Sequence, residues 1–438
     1  MGEKAPKSKT PKSKTGGITR RKVLKGAAAT AGLLVGSGGV TGFPTIWAQN
    51  IKDVTLTHVG MSYSTIIDIA RKASEDLGLK VEMGVTDHEG FLNRVATQPD
   101  SVDIADFEIW QRKFAVPRGV LQGIDAKRIK ALDKLTPIYT KGEFLGKPIS
   151  RVGISPYEVM YLPSKDATSF ADGPTEWLSM VPGVFNADTL GIRPDLIKRP
   201  IEHWHELLNP EFSGRAAIQD IPAIGIMDAA MALQSSGAIT YGDMGNMTRE
   251  EIDKTIGALI DLKRKDHWRA LWGTFDQSVN LMASGEVVIQ SMWSPAVTAV
   301  RSQGVACYYA PLKEGYRGWA NGLSLTRHLS GLKLDAAYEY LNWYLSGWMG
   351  GFIAKQGYYI GIPETAKDHL TENEWGYWYG GKPATDVITN PYGDPMEKAG
   401  QVRDGGSFEE RFSKIAVWNT FMDESVYMNR KWNEFKTA

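Results

Sequence analysis

Along the chain, short β-branched runs alternate with longer stretches in which apolar residues recur every three to four positions. Residues 53–59 (DVTLTHV) read as a strand, 64–76 as a helix and 79–85 (LKVEMGV) as a second strand. Residues 91–96 read as helical, 102–107 as a third strand and 111–116 as the start of a helix. That rhythm predicts an α/β domain built on a parallel sheet. Such sheets hold ligands beyond the carboxyl ends of their strands, which directs attention to two loops, 58–62 with Ser62 at its tip and 107–110. Residues 142–188 lack periodicity and carry Pro148, Pro156, Pro163, Pro174 and Pro182, which predicts a crossover with an irregular insertion. Regular structure is predicted to return at Ile201. Stretches 218–233, 249–264, 279–284 and 287–292 alternate helix with strand as a second α/β unit, and 319–325, 334–345 and a closing stretch 408–436 complete the chain.

The N-terminus departs from this pattern. Residues 19–25 read TRRKVLK and stand directly before a Gly- and Ala-rich apolar run over 26–40, behind a leader carrying Lys4, Lys7, Lys9, Lys12 and Lys14. Paired Arg20 and Arg21 in that setting predict a twin-arginine export signal over 1–48, cleaved after Ala48, and a partner in the twin-arginine machinery. The run is shorter than the ~20 residues a membrane span needs, so a protein released into the periplasm is expected.

Without residues 1–48, the 50 basic and 50 acidic residues of the chain become 41 and 49, a net charge of about −8. A mildly acidic protein lacks the basic face that nucleic acid or anionic lipid requires. About 390 mature residues exceed what one core usually serves, which favours two domains. Cys307 is the only cysteine, so neither an intramolecular disulfide nor a cysteine metal cluster can form. Of the 14 Trp, 13 fall in the mature chain, enough to cover a ligand as well as fill a core.

The string WHELLNPEFSG over 204–214, followed by RAAIQD to Asp220, closely resembles a segment of the extracellular solute-binding proteins of ABC importers, in their spermidine/putrescine-binding branch. Further matches follow in order: ASGEVVIQSMW over 283–293, PLKEG over 311–315, Trp319-Ala-Asn321, and Gln356-Gly-Tyr358 with Pro363 beyond. The resemblance implies a two-lobed periplasmic binding protein fold, with a ligand cleft between two mixed-sheet lobes joined by crossing hinge strands. It divides the mature chain into 49–155 plus 320–365 and 156–319 plus 366–438, with the crossover near Ser155 and Leu312. It further implies a monomer that captures a small organic solute and delivers it to an ABC permease, with no cofactor and no catalysis.

By the same resemblance, Trp293 and Trp319 correspond to the family's aromatic ligand contacts, Glu108 and Trp110 to its strand-end contact pair, and Trp418 with Asn419 to a C-terminal pair. Tyr358 and Asn321 lie in matched segments and join Ser62 as candidates. Polyamine binders place carboxylates where this chain has Ile221, Ile224 and Asn321, all neutral. Burying a protonated polyamine without carboxylates costs several kcal/mol per ammonium. Glu108 can supply one charge, which suits a ligand with a single cationic nitrogen; a zwitterion or a polar neutral amine fits too, so a polyamine, an amino-acid derivative, an opine-like conjugate and a quaternary amine all stay open.

Competing chemistry is weaker. His203-x-His205 lacks a third ligand placed by spacing and is a poor zinc signal. Related ferric-iron-binding proteins use adjacent tyrosinates as donors, so Tyr308-Tyr309 and Tyr358-Tyr359 raise the alternative of a ferric-binding protein of the same fold, but strand alternation sends only one ring of Tyr308-Tyr309 toward any cleft. A twin-arginine-exported cofactor enzyme is the remaining rival, and the sequence offers it neither a dinucleotide fingerprint, nor a zincin helix, nor a serine elbow. No metal site is therefore expected. A receptor that signals without feeding a transporter would use the same clamp.

Overall fold

The computed structural model describes residues 51–438, so the export signal expected over 1–48 lies outside the described residues. Nine strands carry the architecture. In chain order they are β1 (Thr55–Gly60), β2 (Lys80–Val85), β3 (Ile104–Glu108), β4 (Val181–Ile192), β5 (Ala216–Gln219), β6 (Trp268–Trp272), β7 (Ile289–Met292), β8 (Tyr316–Thr326) and β9 (Ile415–Trp418).

β4 and β8 run antiparallel through the middle, and every residue of both is buried. At one end of the sheet β8 pairs antiparallel with β3, and β3, β1 and β2 continue in parallel. At the other, β4 pairs antiparallel with β7, which leads to β5 and β6 in parallel. The expected parallel sheet is thus present at each end, and the two central strands make the whole sheet mixed. Strands buried on both faces lose polar–apolar alternation. That is why Pro182, Gly183, Asn186 and Asp188 read as an irregular crossover, although they belong to β4, at 12 residues the longest strand among the described residues.

Elsewhere the pattern and the structure coincide for local reasons. The helix Arg249–Arg264 has the bounds the sequence predicts, because the Thr248 hydroxyl and the Glu251 carboxylate form a reciprocal capping box. The helix Ile67–Leu77 begins three residues later than predicted, since the Thr65 hydroxyl donates to the Met61 carbonyl at 2.7 Å and holds the preceding residues in a turn. It ends at Gly78, whose φ of 71° provides the left-handed cap.

Residues 161–178 pair among themselves and with the first half of the chain. Trp177–Leu178 hydrogen-bonds to Ile124–Asp125 on one side and to Tyr161–Leu162 on the other. Leu162 joins the apolar cluster of Val59, Phe91 and Phe107. The closing helix Ser425–Thr437 is anchored at the other end of the sheet, where the Trp432 indole donates to Asp220 at 2.9 Å. Cys307 is buried, and burial pushes its thiol up to about 12, which leaves it unreactive at neutral pH. Among the described residues no helix is long and apolar enough to cross a membrane.

Candidate functional site

The carboxyl end of β3 delivers Glu108 into the interior, where its side chain is 5% exposed. Four side chains converge on it. Trp110 donates its indole N–H to Oε2 at 2.6 Å and Asn419 donates to the same oxygen at 3.2 Å. Tyr63 donates its hydroxyl to Oε1 at 3.3 Å, and His88 Nε2 stands 3.6 Å from that oxygen. The backbone completes the cradle, because Glu108 and Gln111 form a capping box around the short turn Ile109–Gln111. No Lys or Arg lies within ion-pair distance of Glu108 among the described residues.

Tyr63 links this carboxylate to an aromatic group. Its ring lies 4.9 Å from that of Trp319 and 6.0 Å from that of Tyr358, and the latter two are 6.0 Å apart. Burial, reinforced by Glu108, holds the Tyr63 phenol well above its usual range, so it stays a donor. On the far side Phe421 stacks over Trp110 at 6.2 Å with planes 6° apart. Five of the sequence candidates therefore meet here: Glu108, Trp110, Trp319, Tyr358 and Asn419. Ser62 is exposed on the loop beside Tyr63.

Three candidates take other parts. Trp293 is half-buried in a second aromatic group, edge-on to Trp272 at 4.8 Å and stacked on Phe275 at 6.5 Å. It borders the same central strand as Trp319, since Met292 pairs with Thr189 and Trp319 with Asn186. Trp418 has no exposed surface; its indole donates to the Ser150 carbonyl at 3.0 Å and its ring fills the space over Gly318, where a Cβ would come within 2.7 Å. Asn321 lies opposite Glu108 on β8, but its Oδ1 accepts from Val184 N at 2.5 Å and so closes the irregularity between Pro182 and Phe185 in β4. Gly183 is required there, because a Cβ would fall 2.6 Å from that oxygen.

Asn419 has a second task. Its Oδ1 accepts from Arg317 at 2.7 Å, and Arg317 in turn donates to Asp228 at 2.7 Å and faces Asp188 at 3.5 Å, all of them buried. Glu108, Asn419, Arg317 and Asp228 form a continuous polar chain joining β3, the segment after β9, β8 and the helix Pro222–Ser235. Burial pushes Asp188 up to about 6 despite Arg317, and the Tyr309 hydroxyl donates to it at 2.9 Å. The tyrosine pairs are split accordingly: Tyr309 serves Asp188, Tyr359 donates to the Trp378 carbonyl at 2.9 Å, and neither phenol is directed at the Glu108 cluster.

Sequence reasoning missed His88, Phe421 and the Arg317 ion pairs. His88 had a signal, since it follows the end of β2 and obeys the same strand-end rule that singled out Ser62 and Trp110. The others had none.

A family model described as bacterial extracellular solute-binding protein matches residues 65–373. The chain belongs to that family. Solved structures agree on the fold of this solute-binding protein, which is that of the two-lobed periplasmic binding proteins. The TpPotD lipoprotein of Treponema pallidum superposes with a TM-score of 0.61 at 12% identity, covering 88% of this chain and 100% of that one. The spermidine/putrescine ABC transporter substrate-binding protein PotD of Streptococcus pneumoniae, in complex with calcium and HEPES, gives 0.58 at 13%, covering 87% and 98%. The periplasmic binding protein MotA of A. tumefaciens B6, in complex with glucopine, gives 0.53 at 13%, covering 88% and 99%. No curated protein matches the chain.

Proposed function

We propose that this solute-binding protein captures a small organic molecule with one cationic nitrogen between its two lobes and delivers it to an ABC permease. The observation that carries the reading is Glu108, a buried carboxylate without a Lys or Arg partner, beside the rings of Tyr63, Trp110, Trp319 and Tyr358. An alkylammonium placed there gains a charge partner and ring faces worth ~0.5–2 kcal/mol. A fully protonated polyamine needs further carboxylates, and those nearby already face other groups: buried Asp106 stands 3.4 Å from His58 Nε2. Asp188 and Asp228 face Arg317, and Asp220 faces Lys436 at 2.7 Å. Relatives of the same fold include both polyamine proteins and one bound to an opine. The single carboxylate favours the second type of ligand.

The mechanism is closure without chemistry. β4 and β8 serve as the crossing strands, with 49–155 and 320–365 in one lobe and 156–319 and 366–438 in the other; the pairing of Trp177–Leu178 with Ile124–Asp125 supports extending the first lobe to about residue 180. Only contacts made to both lobes at once can shift the population toward the closed form. A thermal-shift screen of amino-acid derivatives, opine-like conjugates, quaternary amines and polyamines should yield single-cation hits. The best of them should reduce the radius of gyration in small-angle scattering and alter Trp fluorescence. A tightly bound hit that leaves both signals unchanged contradicts the clamp, and turnover of that hit contradicts a pure binding role.

Export to the periplasm through the twin-arginine route belongs to the same proposal. Replacing Arg20 and Arg21 together by Lys keeps the charge but loses the guanidinium geometry, so processing should be blocked. Maturation of that variant at the wild-type rate, read by immunoblot of cell fractions, counts against the route.

A further inference from the structure

The His203-x-His205 motif gains in the folded chain the third ligand that its spacing does not provide. His203 precedes the short 3-10 helix Trp204–Leu208 and His205 lies within it, and the two imidazoles stack with centroids 5.1 Å apart and planes inclined by 19°. Glu314 arrives from the turn before β8. Its Oε1 is 2.7 Å from His203 Nδ1 and accepts from the Ser235 hydroxyl at 2.6 Å, and that hydroxyl is 3.0 Å from His205 Nδ1. One ring nitrogen of each imidazole and a carboxylate oxygen of Glu314 thus lie within 4.8 Å of one another.

We propose that His203, His205 and Glu314 form a binding site for a divalent transition metal of the zinc class, separate from the solute cleft. Two imidazoles and one carboxylate are a donor set that zinc takes with its fourth position open to water. A tetrahedral ion with ~2.0–2.1 Å bonds holds its ligand atoms about 3.3 Å apart, so the side chains must close by roughly 1.5 Å. Their partial exposure, 37% for His203 and 27% for Glu314, gives them room to do so and leaves a face for water.

The backbone around the site is fixed before any ion arrives. Trp204 N donates to Glu314 Oε2 at 3.2 Å, and the buried Trp204 indole donates to the Gly315 carbonyl at 2.9 Å. Lys313 N donates to the Glu202 carbonyl at 2.9 Å, and the Lys313 ammonium pairs with the Glu202 carboxylate at 2.6 Å. These four contacts hold the two ligand-bearing segments side by side, so little ordering entropy opposes binding. A bound ion would cross-link the helix turn to the entry of β8 and stabilise the folded state by mass action.

The test uses the mature protein freed of metal by chelation. Isothermal titration with Zn2+ should show one site with a Kd below roughly 10 µM. Co2+ should give the visible absorption of a four- or five-coordinate ion, and Zn2+ should raise the melting temperature. His205→Ala and the shape-preserving Glu314→Gln should each weaken Zn2+ binding at least about tenfold, with unchanged circular dichroism in the absence of metal. Failure to bind Zn2+ in that range overturns the proposal, as does binding that neither variant affects. In either case the cluster is a hydrogen-bonded staple between two loops.

Discussion

Replacing Arg317 by Leu is expected to destabilise the protein by about 3–5 kcal/mol, because it leaves Asp188 and Asp228 buried without their cation. The loss should depend on pH, with a definite sign. In the wild type Asp188 is held up to about 6, above the ordinary carboxylate value, so its contribution to stability is largest below about pH 4 and falls as pH rises through 6. Without Arg317 both carboxylates are pushed higher still. Keeping them protonated costs more the further the solution pH lies above their unfolded values. The difference between Arg317→Leu and wild type should therefore be smaller at pH 5 than at pH 8. Urea denaturation followed by Trp fluorescence measures both. An equal loss at the two pH values would show that Arg317 acts through packing and not charge, and a loss below 1 kcal/mol would remove the polar chain from the account of this interior.

Solute binding gives the second large effect. Trp319→Ala should weaken a cationic ligand by roughly 1–3 kcal/mol through lost buried area and lost ring face. Glu108→Gln should weaken it by about 2 kcal/mol or more and leave a neutral analogue almost unchanged. The Gln variant is a fair test because its amide can be satisfied in place. Its oxygen takes the donors Trp110 and Asn419, while its NH2 group reaches the Tyr63 hydroxyl. Trp293→Ala asks a separate question, whether the Trp272–Phe275 aromatic group meets the same solute; an effect comparable to that of Trp319→Ala would place it on the opposing wall. Calorimetry with a hit from the amine screen reads all three. If Glu108→Gln binds that hit as tightly as wild type while Trp319→Ala does not, the aromatic wall stands and the cationic ligand does not. Wild-type binding by both variants would move the solute site elsewhere.

By itself the sequence determined what depends on neighbours along the chain. The helix Arg249–Arg264 follows from a cap and a repeat within a few residues of each other, and β1, β2 and β3 from short β-branched runs between turns. Strand ends in such a sheet are where side chains gather, which made Glu108 and Trp110 legible before any coordinates. Tertiary structure decided the rest, wherever the partner is remote. β4 carries Pro182, Gly183, Asn186 and Asp188 and becomes a strand only because β7 and β8 flank it, with Asn321 closing its irregularity from 137 residues away. Asn419 reaches Glu108 across 311 residues, and Glu314 reaches His203 across 111. The same indole packs beside Tyr63 at Trp319 and over Gly318 at Trp418, and nothing local separates the two. Hydrogen bonds, ion pairs and ring contacts act over a few ångströms of space, whereas periodicity and capping act over a few residues of chain, so only the folded molecule could show which residue types meet.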